Sequence, residues 1–191
     1  GALHGVAAAI GCEQNILAMI NNGKSKFAPA SQFQELPEGL SAGQKAAVSQ
    51  SLQTKDQFLA WQGVAGAGKT FALSFTKKGL EEAGYQLRGF APSAEAAKIL
   101  ESETGIPSTT VASKLLEKQP GVQKQFWIVD EAGLMAASDC EKLMHQAKNN
   151  NARVLFIGDT RQLSAVGAGN PFKLMLQNGL QTAFLSESRR L

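Results

Sequence analysis

With 191 residues, 43% of them hydrophobic and 18% charged, the chain has the size and composition of one mid-sized globular domain, which excludes disorder over its whole length. A formal charge of +3 and a pI near 8.9 permit a nucleic-acid partner without pointing to one. No apolar run approaches the roughly 18 residues of a membrane span. Cys12 and Cys140 lack zinc-site spacing and are too few for a disulfide scaffold, so the expectation is a soluble protein of a reducing, cytoplasmic compartment.

Apolar residues recur at helical spacing from His4 to Ile20 (Val6, Ala9, Ile10, Ile16, Leu17, Ile20), and Asn21-Asn22-Gly23 stops the pattern. Residues 23–40, with Pro29, Pro37 and Gly39, predict a loop with a short strand around Phe33. We therefore set residues 1–40 apart as an N-terminal helix and linker, and 41–191 as the main domain. Ser41 is placed to cap a helix carrying Gln44, Ala47, Val48 and Leu52.

The period then changes. Phe58-Leu59-Ala60-Trp61 reads as a short buried strand, followed by a glycine-rich loop and a helix from about Lys69 to Ala83 closed by Gly84. Strands at 85–91, 125–130, 153–157 and 182–186 alternate with helices at 93–103, 110–118, 138–149 and 170–178. Short buried strands alternating with helices imply an α/β fold, a mainly parallel central sheet covered on both faces and preceded by a small helical segment. The first residues, Gly-Ala-Leu, and the last, Arg-Arg-Leu, suggest a piece of a larger protein.

Three loops after predicted strands carry the chemistry. Gly63-Val64-Ala65-Gly66-Ala67-Gly68-Lys69-Thr70 fits G-x-x-x-x-G-K-[ST] between a strand and a helix. Gly63, Gly66 and Gly68 let backbone amides wrap phosphates, Lys69 reaches the β- and γ-phosphates, and Thr70 ligates Mg2+. Phe126-Trp127-Ile128-Val129-Asp130-Glu131 puts an acidic pair at a strand end, with Asp130 the second magnesium contact and Glu131 the general base for the attacking water. Val154-Leu155-Phe156-Ile157 runs into Gly158-Asp159-Thr160-Arg161-Gln162, and in a parallel sheet that loop shares an edge with the other two, so the Gln162 amide can sense a γ-phosphate.

In this order, GVAGAGKT, APSAEAAKIL, WIVDEAGLM and GDTRQLSAVGAGNPF resemble motifs I, Ia, II and III of RecD-like superfamily 1B DNA helicases. LSAGQKAAV, GIPSTTVASKLL and GDTRQLSAVGAGNPF are more similar still to the helicase part of conjugative relaxases of the TraI/TrwC type, the MobF family, over about residues 10–191. The resemblance implies a RecA-like P-loop NTPase domain, the first of two that form an ATP-dependent motor on single-stranded DNA. Its cofactors are then ATP and Mg2+. Its partners are single-stranded DNA, the second RecA-like domain and relaxase domain of the parent chain, and the conjugative secretion apparatus, with no membrane partner. The alternative is a helicase-like module that binds DNA or serves in secretion recognition without motor activity, against which the intact Lys69, Thr70, Asp130 and Glu131 count.

Carried over residue by residue, Gln44 matches the glutamine that reads the adenine edge. Ser93 in APSAEAA and Thr110 in PSTTVAS fall in segments that contact the DNA backbone, where a hydroxyl donating to a phosphate is apt. Leu185-Ser186-Glu187-Ser188-Arg189-Arg190-Leu191 resembles the segment whose arginine touches the γ-phosphate, with spacing that favours Arg190 over Arg189, although Leu191 stands where the family has glutamine. His4 and His145 read as structural, without partners at ligand spacing. Tyr85, alone inside a predicted strand, excludes tyrosine-based nicking from this segment. Trp61 and Trp127 are expected in the core.

Overall fold

The computed structural model describes residues 2–31, 36–63, 68–118, 121, 124–159, 161 and 170–185, with backbone only for 2–9. Helices α1 (Ala2–Asn22) and α2 (Ala42–Gln53) lead into strand β1 (Phe58–Gly63). Then follow α3 (Lys69–Glu82), β2 (Gln86–Ala91), α4 (Ala94–Thr104), β3 (Ser108–Thr110), α5 (Val111–Leu115) and β4 (Gln125–Val129). A 3₁₀ turn at Ala132–Leu134, α6 (Ala137–Asn150), β5 (Arg153–Gly158), α7 (Pro171–Gln177) and β6 (Gln181–Leu185) complete the order.

The six strands form one sheet in the order β3-β2-β4-β5-β1-β6, and all five pairings are parallel. The strand ends that lead into the motif loops therefore share one edge. Every residue of β4 and β5 is buried, as strands covered on both faces require. Side chains alternate between two cores. Phe58, Ala60, Trp127, Val129, Val154 and Phe156 join one core with residues of α1, α6 and α7. Leu59, Trp61, Phe126, Ile128, Leu155 and Ile157 join the other with residues of α2, α3 and α4.

Helix α1 packs on α6 and α7 and buries Ile16, Met19 and Ile20, an i, i+3, i+4 face, in the first core. Its end, Gly23, lies against β1: a Cβ there would stand 2.9 Å from the Gln57 Cβ. The segment after it is tied down by Arg153, whose fully buried guanidinium donates to the carbonyls of Ala28, Thr54 and Asp56 and to the Tyr85 hydroxyl. Helix α2 is fixed by a capping box in which Ser41 Oγ accepts from Gln44 N–H and Gln44 Oε1 accepts from Ser41 N–H.

Several expectations change in detail. The expected helix at 110–118 is shorter and follows a three-residue strand, β3, that hydrophobic patterning missed because Ser108, Thr109 and Thr110 carry no apolar face. Tyr85 precedes β2 rather than lying in it. His145 does have a carboxylate neighbour, Glu141 one turn back, at 3.8 Å. The strand expected around Phe33 falls outside the described residues. Both tryptophans are fully buried, with Nε1 of Trp61 donating to Ser51 and that of Trp127 to Gln125. Cys12 and Cys140 are free thiols, held protonated by a hydrogen bond with Glu141 in the first case and by burial in the second.

Candidate nucleotide and nucleic-acid site

Strand β1 ends at Gly63 and α3 begins at Lys69, so the glycine loop enters the helix directly. Gly68 caps that helix at φ +81°, where a side chain is rarely tolerated, and a Cβ there would lie 2.2 Å from Gln44 Nε2. The space a Cβ would fill is taken by the Gln44 amide, which donates to the Gly68 carbonyl at 3.0 Å. Among the described residues no side chain caps the first turn of α3, in contrast to α2, α4, α5 and α7. Its opening N–H groups thus keep their capacity for an anion.

From Gly68 the chain turns Lys69 toward β4. Its ammonium lies 3.0 Å from both carboxylate oxygens of Asp130, which is 12% exposed. Asp130 is held from both sides, since its N–H donates to the Phe90 carbonyl of β2 and its Oδ1 accepts the Glu131 N–H at 2.9 Å. Glu131 itself is left-handed, at φ 53° and ψ 41°. Such a backbone costs a non-glycine residue about 1–2 kcal/mol, and strain of this kind clusters at functional positions. Thr70 Oγ1 donates to Glu103 of α4 at 3.1 Å.

Strand β5 brings the third loop alongside. Gly158 packs so tightly that a Cβ would stand 2.9 Å from both the Gly133 nitrogen and the Phe172 ring, which seats the start of that loop against the turn after Glu131. Asp159 accepts from the Arg161 side chain and backbone, and these bonds hold its carboxyl below its ordinary pKa. Gly66, Gln162, Arg189 and Arg190 lie outside the described residues.

The other two strands carry the hydroxyl positions. Ser93 caps α4 by accepting from Ala96 N–H, and Thr110 ends β3 and caps α5 by accepting from Ser113 N–H. A capping hydroxyl uses a lone pair and keeps its proton, so both can still donate to a phosphate. The register that pairs Ala91 with Thr110 brings the two segments to the same sheet edge. Between α4 and the β3–α5 segment runs an open groove of roughly 630 Å³ lined by Lys98, Ser102, Ser108, Thr109, Thr110 and Ser113 among others; Ser93 stands outside that lining.

The structure thus joins Gln44 to Gly68 and Lys69 to Asp130, and sets Thr70 against a residue with no motif signal, Glu103. A second unforeseen cluster fixes α5. Arg88 grips Glu117 with two bonds of 2.7 and 2.8 Å, and the buried Lys114 ammonium lies over the Trp127 ring and 3.3 Å from Glu117. Burial is the main influence on Lys114 and lowers its pKa.

Comparison with known proteins places the chain in a family and identifies its fold. The chain is 36% identical over 140 residues to the conjugal transfer protein TraA of Rhizobium radiobacter, covering 71% of this chain and 13% of TraA. It is 30% identical over 176 residues to the multifunctional conjugation protein TraI of Escherichia coli, covering 85% and 10%. It therefore spans only a small part of these proteins. Among solved structures, the Pif1 helicase from Candida albicans superposes with a TM-score of 0.55 at 19% identity, over 78% of this chain and 40% of that one. The UvsW helicase from bacteriophage T4 superposes with 0.57 at 12% identity, over 87% and 66%. At such identities the likeness establishes the fold, a RecA-like α/β P-loop domain. Residues 39–191, which take in α2 and every strand of the sheet, match the AAA domain family, and the chain belongs to that family.

Proposed function

We propose that this chain is the ATP-binding motor domain of a helicase that translocates on single-stranded DNA, and that it forms the helicase part of a conjugative DNA-transfer relaxase. The pairing of Lys69 with Asp130 at 3.0 Å, beside the uncapped start of α3, carries this reading. It sets a cation suited to phosphate next to an anion suited to Mg2+, beside amide donors that no described side chain caps, and so the residues present fit magnesium-ATP. The similarity to TraA and TraI supports the conjugative setting. On the same grounds we assign the work to the bacterial cytoplasm, alongside a second RecA-like domain and a relaxase domain in the parent chain.

Magnesium-ATP, when bound, supplies the phosphoryl group to be transferred and neutralises part of its charge. Lys69 would exchange Asp130 for the phosphates, and Thr70 and Asp130 would hold the metal. Gly63, Gly66 and Gly68 shape the amide cradle. Gln44 keeps one amide N–H and one carbonyl lone pair beyond its bonds to Gly68 and Ser41, the two groups an adenine edge requires. Glu131 would take the proton of the attacking water, Gln162 would report the γ-phosphate, and Arg190 would steady its charge. Ser93 and Thr110 would donate to DNA phosphates, with Lys98 adding charge to the groove.

Titration of a fluorescent ATP analogue in magnesium tests this. Wild type should bind, and Lys69→Ala should bind much more weakly while melting as the wild type does. Equal affinity in the two would overturn the assignment.

A further inference from the structure

Thr70 lies one residue beyond Lys69, and its hydroxyl proton is committed. It donates to Glu103, on the last turn of α4, at 3.1 Å. A hydroxyl has one proton and two lone pairs, so a partner that fixes the proton also fixes where the lone pairs point. A carboxylate in this position does for Thr70 what outer carboxylates do for metal-bound histidine: it orients the ligand and makes its oxygen a better donor to a cation. Conversely, a cation on the Thr70 oxygen makes the hydroxyl proton more acidic and tightens its bond to Glu103.

We propose that Glu103 is a positioning residue for the magnesium-nucleotide site, acting through the Thr70 hydroxyl. This rests on the reading above that Thr70 is a magnesium ligand. Glu103 stands on the helix that Ser93 caps and that lines the hydroxyl groove with Lys98 and Ser102. The bond therefore joins the metal site to the element that flanks the nucleic-acid groove. Glu95, in the first turn of the same helix and also exposed, supplies a control of equal charge.

The experiment titrates a fluorescent ADP analogue into residues 1–191 in magnesium chloride and, separately, in EDTA. Glu103→Ala should lose about tenfold in the magnesium-dependent affinity, the scale of an outer-partner loss at a metal site, with no change in EDTA. Glu103→Gln, whose amide oxygen can accept the same bond, should recover most of that loss, and Glu95→Gln should match wild type. In a Thr70→Val background, Glu103→Ala should have no further effect. A wild-type-like Glu103→Ala, an equal loss in EDTA, or a full effect without the Thr70 hydroxyl would each overturn the role while leaving the nucleotide site standing. Wild type indifferent to magnesium and to Lys69→Ala would remove the nucleotide site itself and the role of Glu103 with it.

Discussion

Gly68→Ala should destabilise the domain by an amount that two features of the fold set separately. Glycine there holds φ at +81°, and alanine in a left-handed conformation costs about 1–2 kcal/mol from Cβ–carbonyl crowding. The new methyl would also meet Gln44 Nε2 at 2.2 Å. A glutamine amide can swing aside, so the damage is the loss of what that amide does: its bond to the Gly68 carbonyl at 3.0 Å and its half of the α2 capping box at 2.8 Å. Each such bond is worth about 1 kcal/mol net, which brings the total to roughly 3–4 kcal/mol. For a chain of this length that corresponds to a fall in Tm of roughly 6–16 °C at about 2–4 °C per kcal/mol. Urea unfolding followed by circular dichroism measures it. In a Gln44→Ala background the amide is already gone, and Gly68→Ala should then cost only the backbone part, about 1–2 kcal/mol. A cost equal in both backgrounds, or within about 0.5 kcal/mol of zero as at an ordinary surface site, would refute the contact as the reason for glycine here.

Two further outcomes follow from the chemistry of the site and of α5. The two hydrogen bonds from Arg88 hold the Glu117 carboxyl down to about 2 from its ordinary 4.5. A carboxylate depressed on folding contributes in full above its unfolded pKa and loses that contribution as pH falls toward its folded one, so Glu117→Gln should flatten the decline of the urea midpoint between about pH 4.5 and pH 2. An unchanged acid limb would deny Glu117 that part in stability. On the proposed function, in which the motor cleft draws on a second domain, residues 1–191 should release phosphate from ATP slowly and with little stimulation by single-stranded DNA, because cationic fingers contribute about 10³–10⁵ in rate. Rapid, DNA-stimulated release by this segment, measured beside the complete helicase region of the parent, would show it to be a self-sufficient ATPase.

The readily legible parts of the fold were those whose signal is local. Strand β4, a run of five buried residues followed by Asp130, and helix α2, opened by Ser41 with Gln44 three residues on, announce themselves through period and capping. That the loops bearing Lys69 and Asp130 share one edge was legible for a different reason: parallel strands put their following loops on one edge whatever their separation in sequence. What escaped has no local mark. Glu103 is one of several acids on α4, and only folding sets it against Thr70, 33 residues away. Arg153 heads a hydrophobic strand in the manner of a solvated terminus, yet it is fully buried, because three carbonyls and a hydroxyl converge there from segments distant in sequence.

Arg153 and Asp130 stand at opposite ends of the sheet and show how the domain divides its work. At the edge where strands begin, one guanidinium binds the segment after α1, the lead into β1 and the lead into β2, with Phe27, Tyr85 and Phe126 around it. A buried charge with that many acceptors fixes the elements that supply them, since displacing any one leaves a polar group unpaired in a low-dielectric interior. At the edge where strands end, the bonds are of a kind that a ligand can replace. Lys69 can trade a carboxylate for a phosphate, and the amides opening α3, which no described side chain caps, can donate to an anion. Two links leave that replaceable set for α4: Asp130 through the Phe90 carbonyl of β2, the strand leading to Ser93, and Thr70 through Glu103. One reaches the start of α4 and the other its end. The residues around Lys69, Thr70 and Asp130 are thus tied by hydrogen bonds to the strand before α4 and to its last turn, while the opposite edge keeps the sheet in register. On the proposed function, linkage requires that any factor by which nucleotide changes the affinity for single-stranded DNA be matched by an equal factor by which DNA changes magnesium-nucleotide affinity.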